Sequence, residues 1–383
     1  MRASAFLYPW DVVGDPAAAG RLVDLGVRQV TLAAAYHSTR ALTPRHPRHR
    51  VVTAEYAAVL YPPDERRWSG RELRPHPAGS WALGDAYGEA AEALARAGLD
   101  VHSWVVLAHN SRLGAEHPGT SVVNAYGDRY PWAPCVARPE VRSHLVSLAA
   151  EAAVRPGARG TELESCGWYG LAHLHAHDKT SGVGLDDTAQ YLMSLCFCAV
   201  CRSGYAQEGL DDEQLAAGVR AALEPVWRGA PTTGPAGETL LEATVGHRAA
   251  VARTFQEEVV GAVRAAAGPE FRVLLHADPG VHRCGANAGV DPAAVFALAD
   301  GVVAPCPNGR TDALGAFAPH AARTGGVLAA NLTVVSGLGG TPHTLAEDAD
   351  RAAAAGATEL RLYHAGLASD EDLAAVRKSG ALT

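Results

Sequence analysis

Short apolar runs and long alanine-rich amphipathic segments alternate along almost the whole chain. The runs are rich in Val and Leu, as buried strands are, and the segments between them carry apolar residues at helical spacing. This alternation is typical of βα units that build a parallel sheet. The eight predicted strands cover residues 5–9, 27–35, 101–108, 160–164, 271–277, 301–305, 326–332 and 359–363.

The segments between the runs begin and end at residues that cap helices. Several begin at Asp or Thr, and Gly98, Gly268 and Gly356 each follow the end of one. Eight strands separated by helices predict an α/β fold, a single (β/α)8 barrel, with an open doubly wound sheet as the alternative. No Gly-x-Gly-x-x-Gly follows the first run, so a dinucleotide-binding sheet has no support. The predicted helices cover residues 15–25, 85–97, 138–154, 241–267, 291–299, 311–324 and 344–355.

Two connections are too long to be simple turns. They cover residues 36–81 after the second strand and 166–239 after the fourth. In a barrel both lie at the C-terminal face, where active sites are built. We therefore predict one domain over residues 1–383, with these two insertions at its catalytic face.

Composition and charge narrow the function classes. The chain has 33 Lys and Arg against 41 Asp and Glu, a formal net charge of -8, and 48% hydrophobic residues. This balance is typical of a soluble globular protein and disfavours binding to nucleic-acid phosphates. No apolar run approaches the length of a membrane span and no secretory signal is visible, which predicts a cytoplasmic protein without a membrane partner.

Aromatic and polar side chains concentrate where the predicted strands stop. Aromatic rings cover the apolar faces of a sugar, and Asn, Arg and Asp bond its hydroxyls, so this arrangement indicates a carbohydrate-binding cleft. Polar strand ends are also common in any soluble protein, which is the plainer interpretation. The candidate substrate-binding residues are Trp10, Asp11, Tyr36, His37, His109, Asn110, Arg112, Trp168, His276, Asn331 and His364.

Three carboxylates are candidates for acid/base chemistry. Glu162 and Glu164 point to the same side of the fourth strand, because side chains alternate along a strand. Burial raises the pKa of a glutamic acid, so Glu164, nearer the strand end, is the predicted general acid. Glu162 is its candidate orienting partner, or else belongs to an internal salt bridge. Asp278, at the end of the fifth strand, is the candidate second carboxylate, although the following Pro279 also fits a turn.

Three of the seven cysteines form a Cys-x-Cys-x-x-Cys run at Cys196, Cys198 and Cys201. Three thiolates this close, joined by a fourth, can hold a tetrahedral structural zinc ion. The fourth ligand is Cys135 or Cys166, and three buried free thiols are the alternative. The odd count argues against a disulfide framework and for a reducing compartment.

The order of Cys135, a helix, Glu164 and the cysteine run followed by Gly204 and Tyr205 resembles the zinc-containing β-galactosidases of the large retaining clan of (β/α)8 glycoside hydrolases. The match covers residues 130–205. The resemblance implies a barrel with a zinc-braced loop, Glu164 as the acid/base residue and Cys135 as the upstream zinc ligand. The chain departs from the clan at Leu163, where the clan has Asn, and in the seventh strand, which carries no carboxylate to act as nucleophile.

A histidine-rich segment supports a competing prediction. If the segment is extended, His173, His175 and His177 face one way, and with Asp178 they could chelate a catalytic divalent metal. That arrangement would make the protein a metal-dependent hydrolase barrel. A helical segment would instead separate the three side chains.

The sequence as a whole predicts a glycoside hydrolase that acts on a small carbohydrate or glycoside. A structural zinc ion braces the loop after the fourth strand, and a homo-oligomer formed through the outer helices is a further expectation. The two alternatives are the metal-dependent hydrolase and a non-catalytic carbohydrate-binding barrel, which would account for the missing carboxylate.

Overall fold

Eight parallel strands form a closed barrel in which the first strand pairs with both the second and the eighth. The computed structural model describes residues 1–173 and 178–382. The predicted (β/α)8 barrel is confirmed, and the closed sheet excludes the doubly wound alternative. The strands, each within a few residues of its predicted bounds, are Arg2–Leu7, Gln29–Tyr36, Asp100–Val106, Ala158–Glu164, Arg272–Asp278, Gly301–Pro305, Val327–Thr333 and Glu359–Tyr363.

Helices cover the outside of the barrel, and two of the predicted capping residues bind helix amides, whereas Thr311 and Thr344 make no side-chain cap. Asp85 and Asp291 accept hydrogen bonds from the amides of Gly88 and Ala294. The long helix before the fifth strand begins earlier than predicted, because the Pro in its first turn is compatible with a helix start. The outer helices are Ala18–Leu25, Ala86–Arg96, Pro139–Ala153, Gly234–Ala267, Pro292–Leu298, Asp312–Thr324, Leu345–Ala354 and Asp370–Ser379.

Three excursions rise from the C-terminal face, after the second, third and fourth strands. The first holds the hairpin Thr39–Leu42 and Val51–Ala54, the strand Ala58–Val59 and the helix Glu65–Trp68. The second, which the sequence did not predict, holds the helix Ser111–Glu116 and the hairpin Ser121–Val123 and Arg129–Pro134. The third holds the helices Asp187–Met193, Ala199–Gln207 and Asp212–Trp227.

The first excursion is fixed to the barrel by one buried carboxylate. Glu151, on the helix Pro139–Ala153, accepts hydrogen bonds from the Trp68 indole and from the Asp64 amide. Trp68 is fully buried. The loop after the second strand is therefore packed against the barrel rather than free above it.

Ionic groups occupy the centre of the barrel. Leu274, Val303 and Ala329 form an apolar cluster on one side, and Phe6 and Trp104 belong to the cluster on the other. Between these clusters lie charged side chains of the fourth and eighth strands, described below. No helix in the described residues has the length and apolar character of a membrane span.

Candidate active site

Glu164 ends the fourth strand and lies buried at the mouth of the barrel, with 4% of its surface exposed. The indole nitrogen of Trp104, on the third strand, donates a 2.9 Å hydrogen bond to its Oε2. Burial raises the pKa of Glu164, and the opposing effects of His276 and of the Trp104 hydrogen bond offset this only in part. Glu164 therefore keeps its proton to higher pH than an exposed glutamic acid does.

A series of stacked and hydrogen-bonded rings lines the first four strand ends. Tyr8 stacks on Trp10 at 4.6 Å between ring centroids, and its hydroxyl donates to the Tyr36 hydroxyl at 2.9 Å. Successive ring centroids from Tyr36 onward are 4.2 to 4.6 Å apart. The result is a continuous aromatic wall of the kind that packs against sugar rings. Its members are Tyr8, Trp10, Tyr36, His37, His109 and Tyr169.

His37, a member of this wall, and His364, which lies beside Tyr8, are held neutral. Burial lowers the pKa of His37 to about 4 and that of His364 to about 3. The Tyr8 hydroxyl lies 3.2 Å from Nδ1 of His364. At neutral pH these imidazoles are therefore uncharged, and each can both donate and accept a hydrogen bond.

An ionic network lies deeper in the barrel than Glu164, at the level of Glu162 on the same strand. Arg361 of the eighth strand donates from Nε to Oε1 of Glu162 at 2.7 Å and from Nη1 to Oε2 of Glu359 at 2.8 Å. Nε2 of His276 lies 3.6 Å from Oε2 of Glu162. Burial opposes ionisation, but Arg361 and then His276 outweigh it and lower the pKa of Glu162 to about 2. Glu162 is thus the anion of an internal salt bridge, and its other predicted role, as the orienting partner of Glu164, stays a prediction.

Further candidates at the strand ends have buried polar atoms. Oδ2 of Asp11 accepts the Tyr8 amide at 2.8 Å, and burial raises the pKa of Asp11 to about 7. Within the described chain, Nε1 of Trp10 and Oδ1 of Asn331 have no hydrogen-bond partner. Oδ1 of Asp278 accepts the Gly280 amide at 2.8 Å, which is the turn contact that Pro279 suggested.

Two sequence candidates are engaged elsewhere. Asn110 caps the helix Ser111–Glu116 by accepting the Leu113 amide at 2.9 Å. Arg112 donates to Glu116 at 2.8 Å, and its guanidinium lies 4.0 Å from the centroid of the Tyr56 ring. The structure therefore does not bring these side chains to the ring wall.

Trp168 packs against the long helix Gly234–Ala267 instead of joining the wall. Its indole nitrogen donates to the carbonyl of Arg248 at 3.0 Å, and the Arg248 guanidinium covers its ring at 4.3 Å. The neighbouring Tyr169 takes the place in the wall and donates to the carbonyl of His173 at 2.9 Å. His175 and His177 lie outside the described residues.

Three residues after strand ends adopt the left-handed conformation that favours glycine. They are Ser165, Asn308 and His364, with φ of 55°, 54° and 59°. They follow the fourth, sixth and eighth strands. The Ser165 amide donates to the carbonyl of Ala286 at 2.8 Å, so the residue after Glu164 is fixed to the loop after the fifth strand. Such non-glycine residues often mark functional sites.

Four buried cysteines meet beside the excursion after the third strand. The sulfur of Cys135 lies 3.6 Å from that of Cys201 and 3.9 Å from that of Cys198, and all four sulfurs, with Cys196, lie within 4.8 Å of one another. A tetrahedral zinc ion with bonds of about 2.3 Å separates its thiolates by roughly 3.8 Å. The cluster therefore fits a metal ion, and Cys135 rather than Cys166 completes it.

This cluster differs from every other combination of potential ligands in the described chain. Across residues 1–173 and 178–382, it is the one group of three or more His, Cys, Asp or Glu side chains whose ligand atoms could share an ion. A site with four thiolates leaves no open coordination position. Such a metal would stabilise the excursions rather than bind substrate.

No protein-family model and no curated protein matches the sequence. Solved structures do match. The α-L-fucosidase isoenzyme 2 of Paenibacillus thiaminolyticus has a TM-score of 0.58 at 14% identity over 99% of this chain. The PgaB (BpsB) glycoside hydrolase domain of Bordetella bronchiseptica has a TM-score of 0.58 at 15% identity over 99% of this chain. The chain has the fold of the (β/α)8 glycoside hydrolases.

The β-galactosidase of the psychrophilic Marinomonas ef1 also matches, with a TM-score of 0.56 at 11% identity over 99% of this chain. The barrel fold that the resemblance to (β/α)8 glycosidases implied is therefore confirmed. The chain spans 48% of the fucosidase and 58% of the β-galactosidase, but 98% of the PgaB domain. At these identities the likeness is one of fold.

Proposed function

We propose that the protein hydrolyses the glycosidic bond of a small glycoside, with Glu164 as the general acid. The observation that carries this proposal is the environment of Glu164, a buried carboxyl with a raised pKa at the end of the fourth barrel strand. A general acid must hold its proton near the working pH, and desolvation is the usual means of achieving this in a glycosidase.

The walls of the site support a sugar as the substrate. Aromatic rings gather at the strand ends, as they do around bound sugars, and the buried polar atoms of Trp10 and Asn331 offer a donor and an acceptor for hydroxyl groups. Asp278 is the proposed second carboxylate, because the fifth strand pairs with the fourth and ends beside it. The four cysteines are proposed to hold structural zinc, and their free thiols favour a reducing compartment such as the cytoplasm.

The test is hydrolysis of a panel of aryl glycosides by the wild type and by Glu164→Gln, Asp278→Asn and Glu238→Gln. Glu238 is exposed on the long helix and is the matched control for loss of one carboxylate. For Glu164→Gln we expect a loss of about 10²–10⁴-fold on alkyl or phenyl glycosides, which need a protonated leaving group. The loss on dinitrophenyl glycosides should be much smaller, because that leaving group departs without a proton.

The other outcomes select the alternatives. No hydrolysis of any glycoside by the wild type, with sugars still binding, would favour the non-catalytic binding barrel. Activity that disappears on mild chelation while the fold persists would favour the metal-dependent hydrolase. Equal losses in Glu164→Gln on good and poor leaving groups would contradict the role of Glu164 as the acid.

A further inference from the structure

The ionic network of Arg361, Glu162 and His276 lies directly beneath Glu164 in the barrel. Leu275 pairs with Leu163 between the fifth and fourth strands, so the next residues, His276 and Glu164, lie side by side. From that position the His276 imidazole reaches down to within 3.6 Å of Glu162. On the opposite flank, Trp104 pairs in register with Glu162 and donates upward to Glu164. Glu164 thus lies between His276, which starts at its own level and reaches down to Glu162, and Trp104, which starts at the level of Glu162 and reaches up to Glu164.

An ionic centre is a costly way to fill a barrel. The interior of such barrels is usually packed with branched apolar side chains. Glu162 and Arg361 are fully buried, and replacing a buried ion pair by apolar residues is often neutral or stabilising. Packing alone therefore gives no reason for the pair, and its position beneath Glu164 is the feature to explain.

We propose that Arg361, Glu162 and His276 form a positioning set that fixes the Glu164 carboxyl and determines the pH at which it releases its proton. The proposal rests on Glu164 being the general acid. Glu162 balances the Arg361 charge. His276 lies between that pair and Glu164, so a change in the charge of the pair alters the ionisation of Glu164 through His276. None of the three need contact the substrate, so they are positioning residues rather than catalytic ones.

Asp278, the proposed second carboxylate, ends the neighbouring fifth strand, and three phenols also face Glu164. Tyr36 comes from the second strand, Tyr363 from the eighth and Tyr169 from the segment after the fourth. In each case burial, followed by Glu164, raises the phenol pKa. These groups stay uncharged at neutral pH and can only donate or accept hydrogen bonds. The phenols therefore offer no ionic compensation for a change in the charge beneath Glu164.

Two substitutions should move the titration of Glu164 in opposite directions. In Glu162→Gln the Arg361 charge is no longer balanced by Glu162, so the Glu164 anion is favoured and its midpoint falls by about one pH unit. In His276→Phe the anion loses a polar neighbour, and its midpoint rises. The phenyl ring can occupy the edge-on position that the imidazole takes against Phe6, with centroids 5.5 Å apart.

A double variant separates charge from packing. Glu162→Gln combined with Arg361→Met removes the unbalanced cation, so the Glu164 midpoint should return most of the way to its wild-type value. A purely structural role predicts that the double variant is at least as disturbed as Glu162→Gln. If Glu162→Gln does not fold, His276→Phe and the double variant still test the proposal.

The midpoint can be read without any substrate. The Glu164 carboxyl band in infrared spectra is the band lost in Glu164→Gln, and its intensity is followed against pH in each variant. The alkaline limb of kcat/KM gives the same midpoint if the protein is a glycosidase, with Glu238→Gln as the unchanged control. Opposite shifts in the spectra without hydrolysis would support the positioning set and reject the proposed function. Shifts in one direction, or none, would overturn the positioning set.

Discussion

Glu164 and Glu162 are two residues apart and have opposite ionisation behaviour. Burial raises the pKa of Glu164, whereas at Glu162 the combined effects of Arg361 and His276 outweigh burial and lower the pKa. Glu164 is expected to act in its protonated form, so activity should fall as pH rises through its pKa. We expect the alkaline limb of kcat/KM to lie above the ordinary glutamic acid value of about 4.3. A limb at or below that value would contradict the raised pKa.

Glu162 should make the protein sensitive to acid. Its pKa is depressed in the folded state, so its contribution to stability is fully present above the unfolded pKa of about 4.3. That contribution is lost as pH falls toward about 2. The shift corresponds to about 3 kcal/mol in the free energy of unfolding. Urea unfolding of the wild type and Glu162→Gln at several pH values should show a gap that narrows below pH 4, whereas a constant gap would contradict the linkage.

Strand alternation was enough to predict that both glutamates face the barrel interior. It could not predict Arg361 as a partner, because the two side chains are 199 residues apart and meet only once the barrel closes. Tyr8, Trp104 and Tyr169 were missed for a related reason. An aromatic residue near a strand end can face the site or the helices, and only packing decides which, as Trp168 shows.

At the scale of elements, the cysteine cluster joins two excursions that share no sheet. Cys135 follows the hairpin strand Arg129–Pro134, and Cys198 and Cys201 lie at the start of the helix Ala199–Gln207. That helix has no side-chain cap at its N-terminus. A metal bound by the cluster would fix this helix start.

Loss of the proposed zinc should loosen the excursions and spare the barrel. We expect one zinc ion per chain in the wild type and in Cys166→Ala, the matched loss of a buried cysteine outside the cluster, and none in Cys198→Ala. Without zinc, amide hydrogen exchange should rise in residues 130–138 and 196–207, with little change in the barrel strands. Equal zinc content in both variants would contradict the four-thiolate site.

Seven of the eight outer helices could be predicted because each precedes a buried strand, whereas Asp370–Ser379 precedes none and was not predicted. The helices inside the excursions were not predicted. All of them but Asp212–Trp227 are short, and they pack against the long helix and the hairpin. The excursion after the third strand was not predicted from the sequence for a similar reason. Its sequence is rich in turn residues and carries no clear periodicity.

At the scale of the whole molecule, the barrel closes where the first and eighth strands pair. Gly366 packs there against Asp11, and a Cβ atom built on it would lie 1.9 Å from Oδ2 of Asp11 and 3.0 Å from Leu7. Gly366→Ala should therefore separate the two loops and lower the free energy of unfolding by about 1–3 kcal/mol.

Gly337→Ala is the control for that change, because a Cβ atom there meets nothing within 4 Å. Denaturant unfolding should distinguish the two variants, and hydrogen exchange should place the effect of Gly366→Ala in the strands Arg2–Leu7 and Glu359–Tyr363. Equal stability of the two variants would mean that the junction of these two strands tolerates the extra methyl group.

The left-handed residues after the fourth, sixth and eighth strands also restrict how the chain can diverge. Val and Ile are poorly tolerated in this conformation, whereas Gly, Asn, Asp and His adopt it more readily. In a saturation-mutagenesis survey scored by folding alone, few residue types should therefore be tolerated at Ser165, Asn308 and His364. Such a survey would identify positions at the C-terminal face of the barrel from the backbone conformation alone, with no substrate in the assay.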